Sequence, residues 1–343
     1  MAAGTGKFDM KAVVGVLLLV AVAAPSPALG WGASGHRMVG TVAMGVLPAE
    51  LPAFLRTAEA AVAVGELSRE PDRSRGAGKL HDSNRDPGHY LDVDDAGLVM
   101  GGPSVFAPPT TRADYEKALQ AVGADSWQAG YLNYSIVDQV QQLTLDFAYW
   151  RVLRTAERNR AWRGRRKWFA QDRRRREGLI LGTIGNLSHF VADGAQPQHV
   201  SIHSNGWGDH PNPQGYTTAK IHAAFEGAFV AGAVNPAQVA AGLAPARDCA
   251  CPVEQRVADY LTASWRQVEP LYALEKAGGF RDRDPRGQAF AAGRLALAAS
   301  ELRDLIVLAW GASAGAAVGW KPVRAADVEA GRVDPYPSLM GVD

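Results

Sequence analysis

The chain has 343 residues, enough for one helical domain or two small ones, and 47% of them are hydrophobic, enough for a sizeable core. A formal net charge of +1 names no partner. Two cysteines exclude a disulfide framework and cannot make a thiolate zinc site alone.

Residues 1–30 read as a signal peptide. Lys7 and Lys11 give a positive start, Ala12 to Ala24 a short apolar run, and Ala28-Leu29-Gly30 a small-x-small cleavage site after Pro25 and Pro27. The apolar run is too short to span a bilayer as a mature helix. A retained N-terminal anchor is the alternative. Cleavage after Gly30 makes Trp31 the first mature residue and predicts a secreted or periplasmic protein. No later run is long and apolar enough for a transmembrane segment.

The mature chain predicts an all-α fold, a single multi-helix domain over 31–331, because strand-like alternation is scarce and helix formers abound. In chain order the predicted helices are 36–46, 49–64, 112–122, 136–159, 178–192, 218–231, 253–276 and 287–316. Long loops are predicted at 68–111, 199–216 and 232–252, where Gly, Pro, Asn and Asp gather. The tail 332–343 reads as coil. Cys249 and Cys251 sit too close in sequence for an easy disulfide, so a packing or incidental role is expected, with a strained bridge in an exported loop as the alternative. The stretch 158–176 carries ten Arg or Lys with Trp162, Trp168 and Phe169 interleaved. It reads either as a footprint for a polyanion, nucleic acid or anionic membrane, or as a solvated helix face.

Histidine placement carries the chemistry. His189 and Asp193 stand four residues apart in a helical context, so both leave one face a turn apart. His222 and Glu226 repeat that step. Between the pairs, Pro197 ends a helix and turns His199 back. Upstream, Gly88-His89-Tyr90-Leu91-Asp92 offers another imidazole, with Asp92 placed to accept from a ligand histidine. Trp31-Gly32-Ala33-Ser34-Gly35-His36 follows the cleavage site directly. A free α-amino group has a pKa near ~8, so it can lose its proton and bind a metal. Imidazole with carboxylate and no thiolate suits zinc and argues against iron–sulfur. His81, His203 and His210 match no ligand position.

These segments resemble the superfamily that joins bacterial zinc-dependent phospholipases C with fungal-type single-strand nucleases and 3′-nucleotidases (nuclease P-one and S-one). The resemblance runs from Trp31 to about Trp310 and includes Gly293-Arg294-Leu295-Ala296. It implies a helical fold around three zinc ions. One ion would be held by Asp72, His89, His189 and Asp193. A second would take the amino and carbonyl groups of Trp31, His36 and Asp193, so that Asp193 bridges. The third would take His199, His222 and Glu226. The implied reaction is hydrolysis of a phosphate ester by a zinc-bridging hydroxide, with Asp72 and Asp193 holding the activated water's metals. No G-x-S-x-G elbow or P-loop is present.

The branch decides the substrate. The Trp31-to-His36 and His199-to-His222 spacings resemble the nucleases, which implies single-stranded nucleic acid or nucleotides as partner. Glu226 resembles the phospholipases, which implies phospholipid. Asn205, Trp207 and Tyr216 are substrate candidates; Trp207 and Tyr216 either line the cleft or cover the third zinc. No protein partner is implied. A non-catalytic exported zinc-binding protein is the reading from another class.

Overall fold

The computed structural model describes residues 1, 31–247, 249 and 251–341. Residues 2–30 of the predicted signal peptide lie outside the described residues. Eight helices of eight or more residues carry the architecture: α1 (Ala33–Gly45), α2 (Ala58–Leu67), α3 (Arg112–Gln120), α4 (Leu132–Arg158), α5 (Arg166–Ala195), α6 (Val253–Trp265), α7 (Val268–Lys276) and α8 (Pro285–Ser313). One two-residue hairpin, Ala317–Val318 with Val323–Arg324, is the sheet among the described residues. None of the described helices is long and apolar enough to cross a membrane.

The long helices α4 and α5 are the spine. Glu157 pairs with Arg173, Trp150 with Glu177 and Asp146 with Thr183, so one helix descends as the other climbs and they run antiparallel. Helix α8 packs on both, and α1 packs on α2, α5 and α8. The main core between them includes Leu132, Ile136, Phe147, Ile184, Leu187, Leu295 and Leu302, all fully buried. A smaller core at the far end joins Val152, Trp162 and Phe169 to Val318, Ala325 and Val328. Burying such side chains stabilises the fold by roughly 1.5–3 kcal/mol each before entropy is counted.

Several predicted boundaries move for local reasons. The predicted helix 49–64 divides: Ala53–Arg56 is a 3₁₀ turn, Thr57 is extended, and its side chain accepts from the Ala60 N–H to cap α2. The predicted loop 68–111 contains short helical turns at Glu70–Arg73, Lys79–Asp82 and Asp86–His89. Helix α5 begins well before 178, so most of the basic stretch is helix. The predicted helix 218–231 starts late and becomes a π-helical turn at Ala224–Phe229. The predicted helix 253–276 breaks at Arg266–Gln267, and the 232–252 loop holds Pro236–Ala241. The coil expected at 332–343 is wrong in part: Tyr336–Met340 is helical, and Tyr336 packs edge-on to Trp168. Cys249 and Cys251 are paired as a disulfide, against the expectation, with Cα atoms 5.1 Å apart and so within ordinary bridging range.

Part of the basic stretch is spent on structure. Arg165 pairs with Asp334, Arg173 with Glu157 and Glu177, and Arg176 with Asp146. Trp162 and Phe169 are buried in the smaller core rather than presented to solvent.

Candidate metal centre

Three groups of buried ligand-type side chains converge: His36, His189 and Asp193; Asp72, His89 and His189; and His199, His222 and Glu226. Within each group the ligand atoms lie within 4.8 Å of one another. These are the side chains the sequence singled out, brought from α1, the 68–111 segment, the end of α5 and the segment beyond it.

Helix α5 supplies the centre. His189 and Asp193 are both fully buried, one turn apart, with Nε2 and Oδ2 at 3.1 Å. Gln196 is extended and Pro197 follows, so the helix stops there and the 3₁₀ turn Pro197–Val200 brings His199 back. The buried Arg294 guanidinium from α8 donates to the Ala195 carbonyl at 2.8 Å, a cation at the helix's negative end. Burial pulls the Arg294 pKa down to about 10. Gly185 lets α2 approach: a Cβ there would stand 2.5 Å from the Leu67 Cβ. The next residue, Ser68, therefore reaches His189 with its carbonyl.

Helix α1 brings His36 from the other side. Gly32 caps it, and the Gly32 N–H donates to the Glu226 carbonyl at 3.2 Å, tying the start of α1 to the third group. Trp31 is fully buried, its ring 5.4 Å from that of Phe225. His36 Nε2 lies 3.6 Å from Asp193 Oδ1 and 3.9 Å from Asp72 Oδ2. His89 Nδ1 lies 3.1 Å from Asp193 Oδ2, 2.9 Å from His189 Nε2 and 3.9 Å from Asp72 Oδ1. Each oxygen of Asp193 thus faces a different histidine set. In the third group, His222 Nε2 is 2.6 Å from Glu226 Oε2 and 3.1 Å from His199 Nε2.

The imidazoles are oriented by main-chain carbonyls. Nδ1 faces the carbonyl of Ser68 in His189, of His89 in His199 and of Ser204 in His222, at 2.8, 2.6 and 2.6 Å. A carbonyl only accepts, so Nδ1 carries the proton and Nε2 presents a lone pair to the cluster. Asp92 makes no hydrogen bond to a histidine among the described residues; the carbonyls do the orienting expected of it. Its carboxyl is pushed up to about 7 by burial, a shift that His199 opposes.

A metal fits this chemistry. Both ring nitrogens of His36, Asp72 Oδ1, Asp193 Oδ1 and Glu226 Oε1 are buried without a hydrogen-bond partner. Stranding buried polar atoms costs about 1–3 kcal/mol each. Two ligands on a tetrahedral zinc, at ~2.0–2.1 Å from it, stand about 3.3 Å apart. Separations of 3.6 and 3.9 Å are too long for hydrogen bonds and close to that span. Burial opposes charge on Asp193, yet His189 and His199 hold its pKa well below the usual carboxylate range. Burial would also lower His199, but Asp193 and Glu226 carry it up to about 9. His36 is pushed well down, first by burial and then by His189.

The other candidates lie around this centre. Asn205 is exposed, and its Oδ1 accepts the His222 N–H at 3.2 Å. Trp207 is buried, stacked on His203 at 3.7 Å and 4.6 Å from the Tyr216 ring. Trp207 also lines a cavity of about 640 Å³ with Ser201, Trp265 and Glu269. A second cleft, of about 400 Å³, opens beside His89 and is lined by Asn84, Tyr131, Asn186 and Phe190. His81, His203 and His210 stay outside the three groups. Arg75 was not singled out from the sequence. Its Nη1 is 3.5 Å from Asp72 Oδ1 and its Nε 3.0 Å from Asp86 Oδ1. The available signal was its position three residues after Asp72, one helical turn on. Comparison with protein-family models finds no match, and comparison with curated protein sequences finds none either.

Proposed function

We propose that the chain is a zinc-dependent hydrolase of phosphate esters, acting on single-stranded nucleic acid or nucleotides. The observation that carries the reading is the set of stranded ligand atoms, all imidazole or carboxylate, shared among three adjoining groups. Asp193 serves two groups at once, which suits a close pair of cations. On this reading the amino group freed at Trp31 completes the set of His36 and Asp193. Bound zinc would supply Lewis acidity, lowering the pKa of a shared water and neutralising phosphate oxygens.

The chain's own groups do the rest. The carbonyls of Ser68, His89 and Ser204 fix a proton on Nδ1 and aim Nε2 inward. Asp72 is the most open ligand, with 14% of its side chain exposed, and marks the side from which a phosphate enters. Arg75 brings a permanent cation to that side, suited to a non-bridging phosphate oxygen. Tyr131 and Phe190 give the adjoining cleft an aromatic wall for the leaving group.

Glu226 favours a second reading, phospholipase C with the same metal set. The deciding experiment measures metal content and turnover of bis(4-nitrophenyl) phosphate by the chain beginning at Trp31. It then compares single-stranded DNA, RNA, 3′-AMP and phosphatidylcholine. Zinc-dependent turnover with preference for the single strand is expected. Turnover of lipid alone selects the second reading, and bound zinc without any hydrolysis leaves a metal-binding protein.

A further inference from the structure

Far along α4 from the metal centre lies a cleft of about 430 Å³ whose walls are rich in arginine. Arg151, Arg154 and Arg158 come from one face of α4, at helical spacing, and Arg56 faces them from the Ala53–Arg56 turn. Trp150 and Trp310 form its floor. Arg151 is committed: it stacks on Trp310 at 3.5 Å and bonds Ser313, the Trp310 carbonyl and Glu329. Arg56 bonds the Leu51 carbonyl at 3.4 Å. Arg154 stacks over Trp150 at 4.9 Å, and neither it nor Arg158 has a carboxylate partner within 4.0 Å among the described residues. Burial and the neighbouring Arg158 and Arg173 depress the Arg154 pKa, an effect that Glu157 and Glu177 partly offset. Glu50 and Glu329 also line the cleft, so four arginines against two glutamates leave it positive on balance.

We infer that this cleft is a remote phosphate-binding subsite that grips the backbone of a single-stranded polynucleotide, with Arg154 and Arg158 as its contacts. This rests on the nucleic-acid reading above. Guanidinium forks match phosphate oxygens, and stacking on the Trp150 indole pre-orients Arg154. A membrane surface fits less well, because the aromatic floor is recessed; Trp150 is 4% exposed and cannot insert into lipid. Helix α4 measures the separation. Ser135 lines the cleft beside His89, and Arg154 stands nineteen residues further along, about 28 Å at 1.5 Å per residue. That exceeds the roughly 8 Å over which salt lets a charge act. The arginines therefore influence the metal centre only through a ligand long enough to occupy both places.

The test uses the zinc-loaded chain from Trp31 and its Arg154→Gln/Arg158→Gln variant. Binding of a fluorescent phosphorothioate oligothymidylate is followed against salt, beside hydrolysis of bis(4-nitrophenyl) phosphate. The variant should bind the strand ~10-fold more weakly, with a log–log salt slope shallower by about 1.4, while hydrolysis of the small ester is unchanged. Arg158→Gln alone, at an exposed position, should show part of the loss with an unaltered melting temperature. Equal strand affinity and slope in wild type and variant overturn the subsite. So does a variant that loses only binding to phosphatidylglycerol vesicles, or only binding of inorganic phosphate. If the wild type binds the strand through these arginines but does not cleave it, the subsite stands and the nuclease reading falls.

Discussion

Two clusters of charge are withdrawn from water in this molecule, and they are built on opposite plans. Arg256 of α6 and Glu301, Arg303 and Asp304 of α8 are all under 10% exposed. Arg256 there spends every nitrogen: Nε and Nη2 on Glu301 at 2.5 and 2.9 Å, Nη2 also on Asp304, and Nη1 on the Arg247 carbonyl. The histidines, Asp193 and Glu226 of the metal centre are at least as withdrawn, yet His36, Asp193 and Glu226, with the more open Asp72, keep atoms without partners. The first cluster closes on itself except at Arg303 Nη2 and is structural. The second is a set of unpartnered ligand-type atoms close enough together to hold cations.

Metal removal should separate the two most strongly. With free zinc at 1,000 times its Kd, chelation is expected to destabilise the folded chain by about 4 kcal/mol, read as a fall in melting temperature. Next comes Arg256→Leu, which strands Glu301 and Asp304 in the interior. It should cost about 3–5 kcal/mol, equally with zinc and with chelator. A cost that depends on zinc would mean the clusters are energetically coupled.

Within the metal centre, Asp193→Asn should lower zinc content by more than Glu226→Gln, because Asp193 faces two groups and Glu226 one. Equal losses in elemental analysis would remove the bridging role. A residue left before Trp31 should weaken the His36 pair and leave the third group filled; unaltered zinc content would take Trp31 out of the ligand set.

The smallest effect is one of pH. His199 in the bare site is held at about 9, above its ordinary 6.5. A raised pKa gives stability that is complete below 6.5 and lost as pH rises through about 9. In chelator, this contribution should therefore fade on the alkaline side. Zinc requires His199 neutral, so zinc affinity should rise over the same window. Proton release on zinc binding, measured by calorimetry in buffers of different ionisation enthalpy, checks the sign.

Much of the centre was legible because its rules are short-ranged. His189 with Asp193, and His222 with Glu226, share a face by helical spacing, and Pro197 marks where the chain turns. The rest depends on contacts between distant segments. Nothing local says that the carbonyls of Ser68 and Ser204, rather than Asp92, will orient imidazoles; for Ser68 it follows from how closely Gly185 lets α2 approach α5. Two local markers stood where predicted helices changed: Gly227 lies inside the π-helical turn at Ala224–Phe229, and Pro270 cannot bond the Arg266 carbonyl, where the predicted helix 253–276 breaks. The basic stretch misled in part because composition cannot tell a paired arginine from an unpaired one. Arg165, Arg173 and Arg176 are tied to carboxylates, whereas Arg158 at its edge, with Arg154 before it, lines the arginine-rich cleft.

The central claim is that the stranded buried atoms are ligands. Anomalous diffraction at the zinc edge, from crystals of the chain beginning at Trp31, tests it most directly. Three peaks are expected: two flanking Asp193, and one among His199, His222 and Glu226. A well-folded crystal grown with zinc that shows no peak at these groups would contradict it.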